Sequence, residues 1–164
     1  MALVALLFCS TSCLKDDPMI NFKDLGVVIE LPYNNHYLIA QKLKPGDDVS
    51  FKIMVNYTID YASKVKSDIP VTLSVDESMV ATYNATLSST AKKYVLLPAS
   101  TYTLPSSIVI KAGTQLAEAT MAVNTSSLER GKYYILPVRI TEVPSGYTIS
   151  GNFGHLYLRV MMNN

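Results

Sequence analysis

Strict alternation of apolar and polar side chains is the feature that most limits this chain. Val49, Phe51, Ile53 and Val55 alternate with Ser50, Lys52, Met54 and Asn56. Successive side chains of a strand point to opposite faces, so a period of two commits one face to a core and the other to water. Val71, Leu73 and Val75 repeat the pattern around Thr72 and Ser74, and near the C-terminus Tyr134, Leu136, Val138 and Ile140 and then Leu156, Leu158, Val160 and Met162 do the same. The stretches LGVVIEL (25–31), SSIVIKAG (106–113) and LAEATMAV (116–123) are further strand candidates. Turn formers separate them: Pro45-Gly46-Asp47-Asp48, Ala112-Gly113, Arg130-Gly131-Lys132 and Ser145-Gly146. Short strands punctuated in this way predict two packed antiparallel sheets. One segment breaks the period. In SVDESMVATYNATL, Met79, Val80, Tyr83 and Leu87 fall at helical spacing, with Asp76 or the Ser74 and Glu77 pair placed to cap the first turn. The spacing predicts a helix over 77–84, crossing an end or edge of the sheets. The expected fold is all-β: an immunoglobulin-like antiparallel β-sandwich with one short helix inserted between strands.

At 164 residues the chain suits one domain with a real core. Its 14 basic and 13 acidic side chains leave a formal charge of +1. There is no basic stripe of the kind that tracks a phosphate backbone, so nucleic acid is not an expected partner. Lys64/Lys66 and Lys92/Lys93 read as solvated loop charges. The apolar run from Ala2 to Phe8 is far shorter than the roughly 20 residues needed to span a bilayer.

That run is instead of signal-peptide length, and Ser10, Thr11 and Ser12 follow it before Cys13. Small residues directly before a cysteine resemble the lipobox of bacterial lipoproteins, in which the thiol is acylated and becomes the first mature residue. Cys9 fits poorly because bulky Phe8 precedes it. Other readings of the two cysteines are buried helix residues or a disulfide between positions four apart, which would close a tiny loop and restrain little. A metal site needs three or four ligands, and His36 and His155 stand far apart in sequence. Lys15, Asp16 and Asp17 resemble the lysine-plus-acidic signal that sends Bacteroidota lipoproteins to the outer face of the outer membrane. Residues 1–12 are thus expected to be a signal peptide, 13–24 a lipidated tether and 25–164 the sandwich. The expected location is the bacterial outer membrane, exposed on the cell surface through the lipid anchor.

No nucleophile motif, zinc motif or phosphate-binding glycine loop occurs in the chain. The paired acids Asp47-Asp48 and Asp76-Glu77 stand beside turn or helix-start signals, where carboxylates bind backbone N–H groups. Two carboxylates also fall short of the six to eight oxygens that Ca²⁺ takes. No catalytic residue, metal or cofactor is expected. Carbohydrate binding relies on aromatic faces against sugar C–H groups, with amides and carboxylates holding the hydroxyls. The chain has no Trp but 11 Tyr. The most site-like stretch is PYNNHY, where Tyr33 and Tyr37 flank Asn34, Asn35 and His36. It reads either as a hairpin loop with Asn34-Asn35 at the turn or as a glycan-contacting loop. Tyr57, Tyr61, Tyr83 and Tyr102 are expected to seat their rings at the ends of the sandwich, and Tyr133 and Tyr134 to point to opposite faces.

The phrases VNYTIDYASKVKSDIPVTLSVDESMVATYN, YVLLPASTYTLPSSIVIKAG, VNTSSLERGKYYILPVRIT and SGYTISGNFGHLYLRV closely resemble a Bacteroidota domain of unknown function. That domain follows the lipid anchor in surface lipoproteins, including some family-18 endo-β-N-acetylglucosaminidases and glycan-binding proteins. The resemblance covers residues 25–162. It implies an immunoglobulin-like sandwich and a role around polysaccharide capture, and it assigns no catalytic residue, because in those enzymes a separate barrel does the chemistry. Relatives continue into a second domain after the last strand. The expected function is a non-catalytic surface module that spaces partner domains from the membrane or binds glycan weakly. An outer-membrane transporter or other surface lipoproteins would be its partners. The alternative is a structural or adhesin-like module that packs against a protein and binds no sugar.

Overall fold

The computed structural model describes residues 26–32, 37–59 and 65–164. Ten strands form two facing sheets: β1 (Val27–Glu30), β2 (Tyr37–Leu43), β3 (Asp48–Thr58), β4 (Ile69–Val75), β5 (Val95–Leu96), β6 (Ser107–Ile110), β7 (Leu116–Asn124), β8 (Tyr133–Glu142), β9 (Tyr147–Ile149) and β10 (His155–Met162). One helix, α1 (Met79–Ala85), follows β4. The four-stranded sheet runs β7-β3-β1-β9, and the six-stranded sheet runs β2-β10-β8-β4-β6 with β5 added beside β8. The immunoglobulin-like sandwich expected from the alternation is what the chain forms.

The alternation decides which faces meet. Val49, Phe51, Ile53 and Val55 of β3 are buried, with Met121 and Val123 of β7 beside them. Across the interior lie Val71, Leu73, Leu136, Val138, Leu156, Leu158 and Val160 from the six-stranded sheet. This aliphatic layer is the main core, and its burial is the chief force holding the sheets together.

Three pairings are parallel: β1 with β9, β10 with β2, and β5 with β8. They arise because the chain changes sheets between consecutive strands. β1 belongs to the four-stranded sheet and β2 to the other, so the stretch between them is not a hairpin. That expectation is overturned, and residues 33–36 themselves lie outside the described residues. A parallel neighbour needs a long connection, and β10, which pairs with β2, comes more than a hundred residues after it.

The helix starts and ends within a few residues of the expected span, but it lies elsewhere. It packs on the outer face of the six-stranded sheet, where Tyr83 is buried with Tyr94, Ile135 and Tyr157. Helix residues Met79 and Val80, with Leu87 just beyond them, complete this second cluster. An apolar stripe needs an apolar surface, and β8 and β10 supply one on their outward residues. The expected cap is also corrected. Ser78 occupies the N-cap with no side-chain capping bond. Asp76 instead accepts from the Ser78 N–H and hydroxyl and from Arg139 at 3.0 Å.

Polar clasps fix the connections. The Asn84 side chain pairs with the backbone of Tyr94, donating to its carbonyl at 2.7 Å and accepting from its N–H at 2.8 Å. Lys93 donates to the carbonyls of Asn84, Leu87 and Ser88. Those bonds satisfy carbonyls that the helix end leaves open. Thr125, fully buried, accepts from the Gly46 N–H at 3.0 Å and lies 2.8 Å from the Asp47 carbonyl, to which it donates. It thereby pins the β2–β3 turn to the end of β7.

Candidate functional site

Of the five residues expected to contact glycan, the structure describes Tyr37; Tyr33, Asn34, Asn35 and His36 lie outside the described residues, as do Cys13, Lys15, Asp16 and Asp17. Tyr37 opens β2 on the outer face of the six-stranded sheet, directly beside Tyr157 of β10. The two rings stack at 5.8 Å with planes 10° apart. Tyr157 touches Tyr83 at 4.9 Å, Tyr83 meets Tyr94 edge-on at 5.4 Å, and Tyr94 meets Tyr133 at 5.5 Å. Among the described residues, five tyrosines from five separate segments thus form one chain of rings.

Cations sit over two of these rings. The Arg159 guanidinium lies 5.5 Å from the Tyr37 ring and donates to the Tyr83 hydroxyl at 3.1 Å. The Lys92 ammonium lies 4.8 Å from the Tyr133 ring. Each is drawn to the negative ring face. Burial pushes the Tyr157 and Tyr94 hydroxyls above the usual phenol range, with the neighbouring Tyr37 and Tyr83 adding to the effect at Tyr157. Phenols so held are donors rather than bases at neutral pH.

Exposure separates support from platform. Tyr83, Tyr94 and Tyr157 are buried, whereas Tyr37 is 50% exposed and Ile39, next on the same face of β2, is 45% exposed. Tyr37 is therefore a partly exposed residue on a rigid base. His155 opens β10, edge-on to Tyr157 at 5.4 Å.

A second feature lies on the other sheet. An open groove of about 700 Å³ runs along the start of β3, the end of β7 and the 99–103 segment. Asp48 and Asn124 face each other across β3 and β7, as do Ser50 and Ala122 one step along. Tyr102, half-buried, joins the groove where its backbone bridges to Val123. Burial raises the Tyr102 hydroxyl, and the charge of Glu77 adds to this. Asp47 is occupied, its carboxylate accepting the Lys44 N–H at 2.7 Å. A smaller hollow of about 470 Å³ holds Asp76, Arg139 and His155, and its acid and arginine pair with each other at 3.0 Å.

The tyrosine rings were individually visible in the sequence, but their assembly was not. Tyr83 was expected at an end of the sandwich and lies instead on a sheet face. Tyr57 does seat its hydroxyl, accepting the Val65 N–H at 3.1 Å. One signal could have found the cluster: Tyr133 to Leu136 and Leu156 to Leu158 are apolar at consecutive positions, which marks strands covered on both faces. Among the described residues no group of three or more His, Cys, Asp or Glu side chains could hold a metal ion. No helix among them is long and apolar enough to cross a membrane.

No curated protein matches the chain. Among solved structures, a Bacteroides ovatus protein proposed to bind carbohydrate superposes with a TM-score of 0.65 at 21% identity, over 83% of this chain and 37% of that one. EndoBT-3987 of Bacteroides thetaiotamicron, solved with its Man5GlcNAc product, gives 0.52 at 20% identity, over 69% of this chain and 26% of that one. The apo-form Calx CBD1 domain gives 0.54 at 7% identity, over 85% of this chain and 99% of that domain. The chain spans little more than a third of the length of the first of these and about a quarter of the second. A family model described as an N-terminal domain matches residues 21–146, most of the chain. The chain belongs to that family of N-terminal domains, the one to which its sequence phrases pointed.

Proposed function

We propose that this chain is a non-catalytic, glycan-associated module of a surface lipoprotein, held at the outer membrane by a lipid on Cys13 and exported through Lys15-Asp16-Asp17. The observation that carries the glycan part is Tyr37, half-exposed and braced flat on Tyr157. A braced ring loses little freedom when a sugar stacks on it, which lowers the cost of binding. Arg159, beside the ring, adds a donor. The fold shared with a carbohydrate-binding candidate and with an endoglycosidase solved with its Man5GlcNAc product supports the same reading. The domain would contribute capture and spacing, and neighbouring domains the chemistry.

A second reading has one observation of its own. Tyr37 and Ile39 form an exposed apolar pair on the edge strand β2, which also suits a protein partner. Lys42, at φ +61° beside a register shift in β10, kinks that edge and disfavours simple strand addition.

A glycan array probed with the full chain and with Tyr37→Ala separates the two. The glycan reading expects wild-type binding that the substitution weakens. Absence of binding to every glycan would leave the protein-partner reading standing. Cys13→Ala is expected to abolish acylation and release the protein from membranes; a variant that stays acylated overturns the anchor.

A further inference from the structure

We infer that the groove on the four-stranded sheet is a separate ligand site, one that takes a neutral oligosaccharide and excludes acidic ones. The inference rests on the glycan reading above but on none of its residues. Tyr37 lies on the outer face of the six-stranded sheet. Asp48, Ser50, Ala122 and Asn124 lie on the outer face of the other, because Val49, Phe51, Met121 and Val123 between them point into the core.

Three properties of the groove match a pyranoside. Its floor is shallow and small-sided where Ser50 faces Ala122, so a ring can approach the sheet. Its rim carries the partners that sugar hydroxyls take: a carboxylate at Asp48 and an amide at Asn124 directly opposite, with hydroxyls at Ser50, Ser100 and Thr103. Tyr102, half-buried and packed in part against the core, lines the groove as the aromatic that would meet the apolar C–H face. Most of this set is uncommitted. Asp47 holds its own turn and the Asn124 oxygen accepts the Ser126 N–H at 2.9 Å, which leaves Asp48 and the Asn124 amide nitrogen to meet a ligand.

Charge sets the selectivity. Among the described residues, two carboxylates and no Lys, Arg or His line the groove, and Glu77 is close enough to Tyr102 to be felt by its hydroxyl. A uronate or sulfate ester would meet like charge with no cation to offset it. The tyrosine face has the opposite character, with Arg159 and Lys92 at its rings. The Thr125 clasp fixes the 44–47 turn at one end of the groove.

The test titrates the full chain with mannopentaose, cellopentaose and xylopentaose and, separately, with trigalacturonate, each with and without EGTA. Binding of at least one neutral sugar is expected, unaffected by EGTA, with none of the galacturonate. Asp48→Ala with Asn124→Ala should weaken it about 10- to 100-fold, the range for losing hydrogen bonds to a charged group. Ala122→Tyr, at an exposed position, should fill the floor and abolish binding without disturbing the fold. Preference for galacturonate, loss of binding in EGTA, or indifference to these substitutions overturns the inference. If Tyr37→Ala abolishes binding while the groove variants do not, the glycan reading stands and the groove falls. If the groove variants abolish binding and Tyr37→Ala is silent, the groove stands and the Tyr37 platform falls. No binding by any sugar sinks both.

Discussion

The molecule has two apolar clusters built on different principles. The core between the sheets is mainly aliphatic, made of Ile, Val and Leu on the inward face of each strand, with Phe51, Tyr57 and Tyr134 as its aromatic members. The cluster outside the six-stranded sheet is tyrosine-rich, with Tyr83, Tyr94 and Tyr157 around Ile135. Branched aliphatic side chains fill space densely and carry no polar atom, so they suit a layer closed on all sides. Tyrosines suit a boundary, where the ring packs and the hydroxyl finds a partner or water. The contrast teaches that the sandwich is fastened by the first cluster, whereas the second fastens α1 and the 84–94 connection to it.

The comparison breaks most directly at Ile53, fully buried in the aliphatic layer. Ile53→Ala should cost about 2–5 kcal/mol, read from chemical denaturation, because both sheets lose contacts around a cavity. A smaller loss, about 1.5–3 kcal/mol, is expected for Tyr83→Ala, which removes one large ring from a partly open cluster. Hydrogen exchange sharpens the point. With Tyr83→Ala, amides of residues 79–94 should exchange faster while those of β3 and β7 keep their protection. Equal loss of protection everywhere would mean that the two clusters form one cooperative unit.

The smallest effect is set by pH. Tyr94 and Tyr157 have hydroxyl pKa values raised by burial. A raised pKa stabilises the fold below the unfolded value, about 10 for tyrosine, and this contribution is lost as pH rises through the folded values. Alkaline titration followed by tyrosine absorbance should therefore loosen the helix side before the sheets. At the acid end the signs reverse. The Asp76 carboxylate is held below its usual range by Ser78 and then Arg139, and Asp68 by Lys111 and the Ala112 N–H. Their contribution is present above the ordinary carboxylate value and disappears as pH falls through the lowered ones.

These clusters also differ in how far the sequence reveals them. Alternation identified the inward residues of β3, β4, β8 and β10, because a period of two is a property of neighbours along the chain. The helix was legible for the same reason, from Met79, Val80, Tyr83 and Leu87. What escaped was everything that depends on which segments meet. The short strand β9 and the β2 strand leave weak local patterns, and the change of sheet between β1 and β2 is a matter of topology. Five tyrosines at 37, 83, 94, 133 and 157 have no common spacing. The groove is equally silent in sequence, since Asp48 reads as a turn residue and Tyr102 reaches β7 through a single bridge.

One feature of the sheet order bears on the timing of folding. β10 is the last strand in the chain, yet it lies inside the six-stranded sheet between β2 and β8. Among the described residues, β2 has no neighbour in that sheet other than β10. As the ribosome delivers the chain from its N-terminus, β2 must wait for more than a hundred residues before its partner exists. Sheets closed by such distant pairings form slowly, so the nascent chain stays without its finished sandwich until synthesis has passed Met162. Delayed closure of this kind keeps a polypeptide threadable, the state that the proposed lipid-anchored form would need for crossing a membrane before it folds.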